Sequence, residues 1–186
     1  YQGLLICCQI ANLVLWTKAL GPDILGQYTF VMAFVPCFQI VGSLGRGVSV
    51  VRELKLSPEN FDEISGSFLM LAALVSGALA IVVWSIVLVL PLQTEQRFLF
   101  SVIAAGSICH SLALSPLFEA LHQHRRGAIA TPVVETLNLA AVLVLVSLQC
   151  FSLFVAGYLL LARWVLTIVI QWTVFLRFVR TLAFCV

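Results

Sequence analysis

The chain has 186 residues, of which 62% are hydrophobic and only 10% are charged, with a net charge of +2. Soluble domains carry about 25% charged residues, and the mean hydropathy of this chain is +1.11. A soluble protein of this size could not bury so much apolar surface, so the composition indicates an integral membrane protein. The small net charge gives no indication of nucleic-acid binding. The six cysteines form no C-x-x-C pair and have no histidine at zinc-site spacing, so no metal site or cofactor is predicted.

Six membrane-spanning helices are predicted, which gives an all-α integral membrane fold. Apolar runs of about 20 residues are long enough to cross a bilayer. Backbone groups in hydrocarbon must be bonded within the segment, which favours helices over strands. The predicted helices cover about 1–20, 28–51, 64–90, 97–120, 129–148 and 153–176 of one membrane domain, 1–186.

Local signals add detail to these helices. A Gly/Pro turn is predicted at 21–27 and a polar loop at 52–63, and Pro36 predicts a kink in the second span. Ser57 and Pro58 have the chemistry of an N-cap and a first helical residue. The third span is almost wholly apolar, which predicts lipid exposure. The fourth is rich in small residues, which predicts a position inside the bundle.

The cations are distributed unequally between the predicted loops. Lys18 and Arg97 lie on one side of the membrane. The other side holds six of the ten lysines and arginines, namely Arg52, Lys55, Arg125, Arg126, Arg177 and Arg180. The positive-inside rule makes the six-cation side cytoplasmic, and the N-terminus is then cytoplasmic as well.

Polar side chains inside the spans are the candidate site residues. An ionisable group at mid-membrane costs at least ~2.5–3.5 kcal/mol on insertion scales, so it usually faces the bundle interior or water. The candidates for a substrate cavity are Arg163, Asn138, Glu135, Arg46, Asn12 and Gln39. Other polar residues in or at the ends of spans are Gln9, His110, Glu119 and Gln171.

Arg163 is the most informative of the candidates, because it lies ~15 Å along the sixth helix and is flanked by apolar residues. It needs water, a partner on another helix or an anionic ligand. Glu135 or Asn138 could be that partner, or Arg163 could bind the anionic head of a cargo molecule. Arg46 could instead snorkel to the cytoplasmic surface, and Glu135 could be a first-turn acid if its helix starts at Pro132.

No catalytic motif is present in the sequence. It contains no G-x-S-x-G, H-E-x-x-H, P-loop or G-x-G-x-x-G pattern. His110 lies mid-span, where it could relay protons or simply bond to a neighbouring helix. No catalytic residue is predicted, and the chain is not expected to be an enzyme.

Two stretches resemble the polysaccharide flippases of the MATE/MurJ-like transporter superfamily. The first runs LGP-x-x-LG-x-Y over 20–28, continues as an apolar helix and reaches LG-x-G and then VRE at 51–53. The second, PLFEALHQHRRGAIA at 116–130, is similar to the passage from the fourth to the fifth helix of that family. The resemblance extends over nearly the whole chain but covers only the first half of a family member.

The resemblance implies a six-helix N-terminal lobe that works with a second lobe by alternating access. The implied cargo is a lipid-linked oligosaccharide, moved outward across a bacterial inner membrane. Membrane lipids and a C-terminal lobe, absent from this chain if it is a fragment, are the other expected partners. One alternative is a MATE-type antiporter, which would require a carboxylate deep in the first span, where 1–20 has none. The other is a non-transporting membrane subunit or scaffold.

Overall fold

The computed structural model describes residues 2–37, 40, 46–121, 123 and 128–183, and every regular element in these ranges is a helix. The helices are α1 (Gln2–Met32), α2 (Arg46–Leu56), a 3₁₀ turn (Pro58–Asn60), α3 (Phe61–Val89), α4 (Thr94–Ser111), α5 (Ser115–Ala120), α6 (Ala130–Ser147) and α7 (Leu153–Ala183). Four helical segments of the described ranges are long and apolar enough to cross a membrane: Gly3–Cys37, Phe61–Val89, Ala130–Ser147 and Leu153–Arg177. The protein is therefore an all-helical, multi-pass membrane protein, while the predicted count of six spans is not confirmed.

Gly21 divides α1 into two helical arms, 2–20 and 22–32. Its backbone, at φ 75° and ψ 168°, adopts a conformation that glycine reaches without steric cost. The rings of Trp16 and Tyr28 meet edge to face with centroids 4.7 Å apart, whereas a straight helix would separate these residues by about 18 Å. The chain therefore folds back at Gly21. The predicted loop over 21–27 is wrong, because the helix resumes at the next residue.

The second predicted span, 28–51, is not one continuous helix. α1 ends at Met32, four residues before Pro36. Proline has no N–H to donate to the Met32 carbonyl, and its ring clashes with that carbonyl. The kink predicted at Pro36 is found as a break of the helix at 33–34, after which 35–37 are helical again. Residues 38, 39 and 41–45 of this predicted span lie outside the described residues.

The predicted polar loop at 52–63 is partly helical. α2 continues to Leu56, and a 3₁₀ turn follows with Pro58 as its first residue. The position of the helix start is as predicted, although the Ser57 side chain makes no capping hydrogen bond. The reason for the longer helix is packing, since Val50 and Leu54 of α2 are buried in an apolar cluster with Leu117.

α3 (Phe61–Val89) corresponds to the third predicted span, 64–90. Its outward face is apolar: Met70, Ile81 and Leu88 are each about 70% exposed (68%, 69% and 73%). Exposed apolar surface of this extent suits contact with lipid chains.

The fourth predicted span, 97–120, is interrupted within the described chain, which corrects the prediction of one helix. α4 ends at Ser111 and α5 begins at Ser115. The cause is Pro116, which has no N–H to donate to the carbonyl of Leu112.

Two side chains of α7 bond the backbone groups that this interruption leaves free. The Leu114 N–H donates to Gln171 Oε1 at 3.0 Å, and Gln171 Nε2 donates to Ser115 Oγ at 3.2 Å. Trp172 Nε1 donates to the carbonyl of Leu112 at 3.3 Å. A broken helix is tolerated in a membrane where neighbouring side chains satisfy the freed groups in this way.

α4 packs between α3 and α7, which confirms its predicted position inside the bundle. Gly106 is buried at this interface, and a Cβ atom there would overlap the ring of Trp164 on α7. The absence of a side chain therefore sets how closely the two helices approach.

We expect Gly106→Ala to lower the free energy of unfolding by about 2 kcal/mol, because the added methyl group forces the Trp164 ring out of a packed interface. Gly77→Ala is the matched control, since an added Cβ on α3 meets nothing within 4 Å and alanine favours the helix by up to ~1 kcal/mol. Thermal unfolding in detergent measures both variants. Equal melting temperatures would contradict the packing role of Gly106.

α6 confirms the fifth predicted helix, 129–148, and the tight turn after it is also as predicted. α7 begins at the predicted residue 153 but continues to Ala183, beyond the predicted end at 176. Gln149 has a positive φ of 54°, and the Cys150 N–H donates to the Leu145 carbonyl at 3.0 Å. These features close the end of α6 as a Schellman-type cap. The short connection makes α6 and α7 antiparallel neighbours, which positions the site described next.

Candidate functional site

A cavity of about 150 Å³ with several polar side chains in its lining lies between α1, α6 and α7. It is lined by Gln9, Asn12, Leu13, Trp16, Tyr28, Glu135, Asn138, Leu160 and Arg163. A cavity of this volume and polarity has space for several water molecules or one small polar group.

Helical periodicity brings the lining residues to common faces. Glu135 and Asn138 are spaced i, i+3 on α6, as are Leu160 and Arg163 on α7. Tyr28 reaches the cavity because α1 folds back at Gly21. The first arm of α1 contributes a stripe at i, i+3, i+4 and i+7, formed by Gln9, Asn12, Leu13 and Trp16.

An ion pair spans the cavity, with Arg163 Nη2 2.7 Å from Glu135 Oε1. The Glu135 side chain is 2% exposed and that of Arg163 is 34% exposed, so the acid is interior and the guanidinium reaches the opening. Arg163 lies ~15 Å from the start of α7 and Glu135 ~18 Å from the end of α6. The two residues are therefore at similar depth in antiparallel helices, near the middle of a hydrocarbon core about 30 Å thick.

This pair answers the question that the sequence left open for Arg163, because Glu135 is its partner. Neither carboxylate oxygen of Glu135 has a hydrogen-bond partner among the described residues. The contact with Arg163 is thus an ion pair, and Oε2 of Glu135 has unused acceptor capacity.

Two further buried polar atoms at the cavity have no hydrogen-bond partner among the described residues: Asn12 Oδ1 and Trp16 Nε1. Buried polar atoms are nearly always bonded, to protein or to ordered water. Together with Glu135 Oε2 they give the residues that line the cavity two unpaired acceptors and one unpaired donor. The arrangement is suited to a group that can both donate and accept hydrogen bonds.

Four of the six predicted cavity residues meet at this place: Arg163, Asn138, Glu135 and Asn12. Gln39 lies outside the described residues, and so does the side chain of Arg46. The interpretation of Glu135 as a first-turn acid is wrong, because α6 begins at Ala130 and Glu135 is buried in its second turn.

Sequence reasoning did not include Gln9, Trp16 or Tyr28 among the cavity candidates. The first two have a signal in the sequence, since they lie three residues before and four residues after Asn12 on one helical face. Tyr28 has none, because its position depends on the fold-back at Gly21.

No protein-family model, curated protein or solved structure matches the chain. Within the described ranges no three His, Cys, Asp or Glu side chains are close enough to hold a metal ion. Function is therefore inferred from the cavity and from the flippase-like stretches.

Proposed function

We propose that this chain forms one lobe of a transporter that moves a lipid-linked oligosaccharide across a bacterial inner membrane, from the cytoplasmic to the outer leaflet. The observation that carries the proposal is the cavity, where residues with unpartnered polar atoms line the same space as an ion pair that lies inside two apolar helices. Polar groups at such depth are costly and usually line a pathway for substrate or ions. The stretches 20–28 and 116–130 indicate the class of cargo.

The interrupted helices fit a lobe with six crossings and a cytoplasmic N-terminus. In this proposal the second arm of α1 and α2 form one crossing, interrupted at Pro36. α4 and α5 form another, interrupted at Pro116. The other four crossings are the first arm of α1 and the three helices α3, α6 and α7. Discontinuous helices near the membrane midplane are a recurring feature of transporter binding sites. The break before Pro36 fits this depth, since the second arm of α1 is about 16 Å long, whereas α4 is about 27 Å long and breaks near the end of its crossing.

The ion pair favours the sugar part of the cargo over its pyrophosphate as the occupant of the cavity. Because Glu135 neutralises Arg163, the site has little net charge to attract an anion. Sugar hydroxyls both donate and accept hydrogen bonds, which matches the acceptors on Asn12 and Glu135 and the donor on Trp16. Trp16 and Tyr28 add aromatic side chains to the lining, which suits the C–H groups of a sugar.

A flipping assay with the full-length protein in liposomes tests this function. The cargo carries a fluorescent sugar, and a membrane-impermeant quencher reports the leaflet in which it resides. We expect Asn12→Leu to slow flipping about tenfold, because one buried hydrogen bond to the cargo is lost, while the melting temperature stays unchanged. Asn60→Leu is the matched control, since the Asn60 side chain is exposed and caps nothing.

A wild-type rate for Asn12→Leu would remove the cavity from the transport path. Absence of flipping by the unmodified protein, with or without a second lobe supplied in trans, would contradict the cargo class itself.

One observation favours a second candidate, a cation-coupled antiporter. Such a transporter requires a buried carboxylate, and Glu135 is buried with one oxygen free of hydrogen bonds. This function predicts that a proton or sodium gradient drives uptake of a cationic dye into liposomes and that Glu135→Gln abolishes the uptake. Gradient-independent dye leakage, equal in both proteins, would exclude it.

A further inference from the structure

A second cavity, of about 530 Å³, opens between α2 and α5. One face of α2 forms its wall with residues spaced i, i+3, i+4, i+7 and i+8: Val48, Val51, Arg52, Lys55 and Leu56. Gly47 and Glu119 complete the lining. The opposite face of α2 is buried through Val50 and Leu54, so the groove is held in place by the apolar cluster beneath it.

The groove changes from apolar to cationic along α2. Val48 is 78% exposed at one end, and Arg52 and Lys55 follow in the next two turns. Neither cation pairs with a carboxylate of the described residues. Glu119 lies on the α5 side, so the three charged side chains give the groove a net charge of about +1 at neutral pH.

The cationic end of the groove lies at a membrane surface. α2 ends at Leu56, and the membrane-crossing helix α3 begins at Phe61 after a single 3₁₀ turn. Long cationic side chains near such a boundary place their charges at the level of the lipid head groups. By the distribution of lysine and arginine, this surface is the cytoplasmic one.

We propose that this groove binds a glycerophospholipid with one net negative charge. The lipid phosphate lies between Arg52 and Lys55, and an acyl chain follows Val48 and Val51. A guanidinium grips phosphate oxygens through its fork of N–H groups, and the single excess positive charge of the groove is neutralised by one such lipid. A soluble phosphate has no apolar part that could pack against the apolar wall of the groove. The site is separate from the cavity at Glu135 and does not depend on the transport function.

Lipid titration of the full-length protein, followed by native mass spectrometry, tests the site. Phosphatidylglycerol is compared with phosphatidylcholine of the same acyl chains. We expect wild-type protein to retain phosphatidylglycerol preferentially. In Arg52→Gln/Lys55→Gln the affinity for phosphatidylglycerol should fall roughly 30-fold, because each basic residue near a membrane surface contributes about 1 kcal/mol. Affinity for phosphatidylcholine should not change.

The matched control is Lys18→Gln/Arg97→Gln, which removes the same charge from two exposed residues on the predicted opposite surface. We expect it to bind phosphatidylglycerol as the wild type does. An equal loss of phosphatidylglycerol affinity in the two double variants would show general charge attraction and would contradict a specific site in the groove. Circular dichroism checks that both variants keep their helices.

Two further measurements separate the charged and apolar parts of the groove. Glu119→Gln raises the net charge of the lining by one and should strengthen phosphatidylglycerol binding several-fold. Soluble glycerol phosphate should not displace the lipid at equal concentration. Displacement by glycerol phosphate would reduce the site to a phosphate contact and overturn the lipid assignment.

Discussion

Arg163→Gln is expected to cause a large loss of folded protein, because it leaves the Glu135 carboxylate buried without a counter-charge. Removing one partner of a buried ion pair typically costs about 3–5 kcal/mol. Glu135→Gln should cost less, since the Arg163 side chain is 34% exposed and its guanidinium can turn toward water or lipid head groups. The unequal burial of the two side chains thus predicts unequal effects of the two single variants.

The double variant Glu135→Gln/Arg163→Gln separates pairing from other roles of these residues. Two neutral amides can bond each other, so we expect the double variant to recover most of the stability that Arg163→Gln loses. Protein level in membranes and unfolding by SDS in mixed micelles measure all three variants. Arg177→Gln is the control, because it removes an exposed arginine from the same helix.

Another outcome would assign Arg163 to the cargo. If Arg163→Gln is well expressed and unfolds like the wild type but does not transport, Arg163 contacts the cargo rather than holding Glu135. If Arg163→Gln is well expressed, unfolds like the wild type and transports at the wild-type rate, Arg163 neither contacts the cargo nor stabilises the fold by pairing with Glu135.

The cavity shows which parts of such a site a sequence can reveal. Asn12, Glu135, Asn138 and Arg163 could be selected because polar residues in apolar helices are rare and costly. Their depth along each helix followed from the rise per residue. Which of them touch could not be known, since Glu135 and Asn138 lie one turn apart on α6 and either could reach Arg163.

The boundaries of the helices show where sequence reasoning reaches its limit. Gly21 and Pro22 predict a change of direction, but both a loop of seven residues and a single-residue hinge satisfy that chemistry. Tyr28 could not be placed in the cavity for this reason. Similarly, a proline in an apolar helix predicts a kink or a complete break, and the sequence near Pro116 does not distinguish them.

The side chains that stabilise the break at Pro116 lie far from it in the sequence. Gln171 and Trp172, more than 50 residues later, supply the hydrogen bonds that the interrupted helix lacks. Gln171 could be identified as a polar residue inside a span. Its partner could not, because the Leu114 N–H is a backbone group that any helix would have satisfied internally.

Gln171→Leu is therefore expected to lower the free energy of unfolding by about 3 kcal/mol. Leucine fills a similar volume but leaves the Leu114 N–H without its partner in a buried, apolar setting. Gln93→Leu is the control, because Gln93 is exposed in the turn before α4. Trp172→Phe removes one hydrogen bond to the Leu112 carbonyl and should cost only about 1 kcal/mol.

Combining Gln171→Leu with Pro116→Ala tests whether the Gln171 amide stabilises the interrupted helix. Alanine restores an N–H that can donate to the Leu112 carbonyl, so the helix can continue through 112–114 and bond the Leu114 N–H internally. The penalty of Gln171→Leu should then fall to about 1 kcal/mol or less, as the interaction term of a double-mutant cycle. SDS unfolding of the four proteins in mixed micelles measures that term. Strictly additive effects would mean that Gln171 stabilises α7 by packing alone and that the interrupted helix does not depend on its amide.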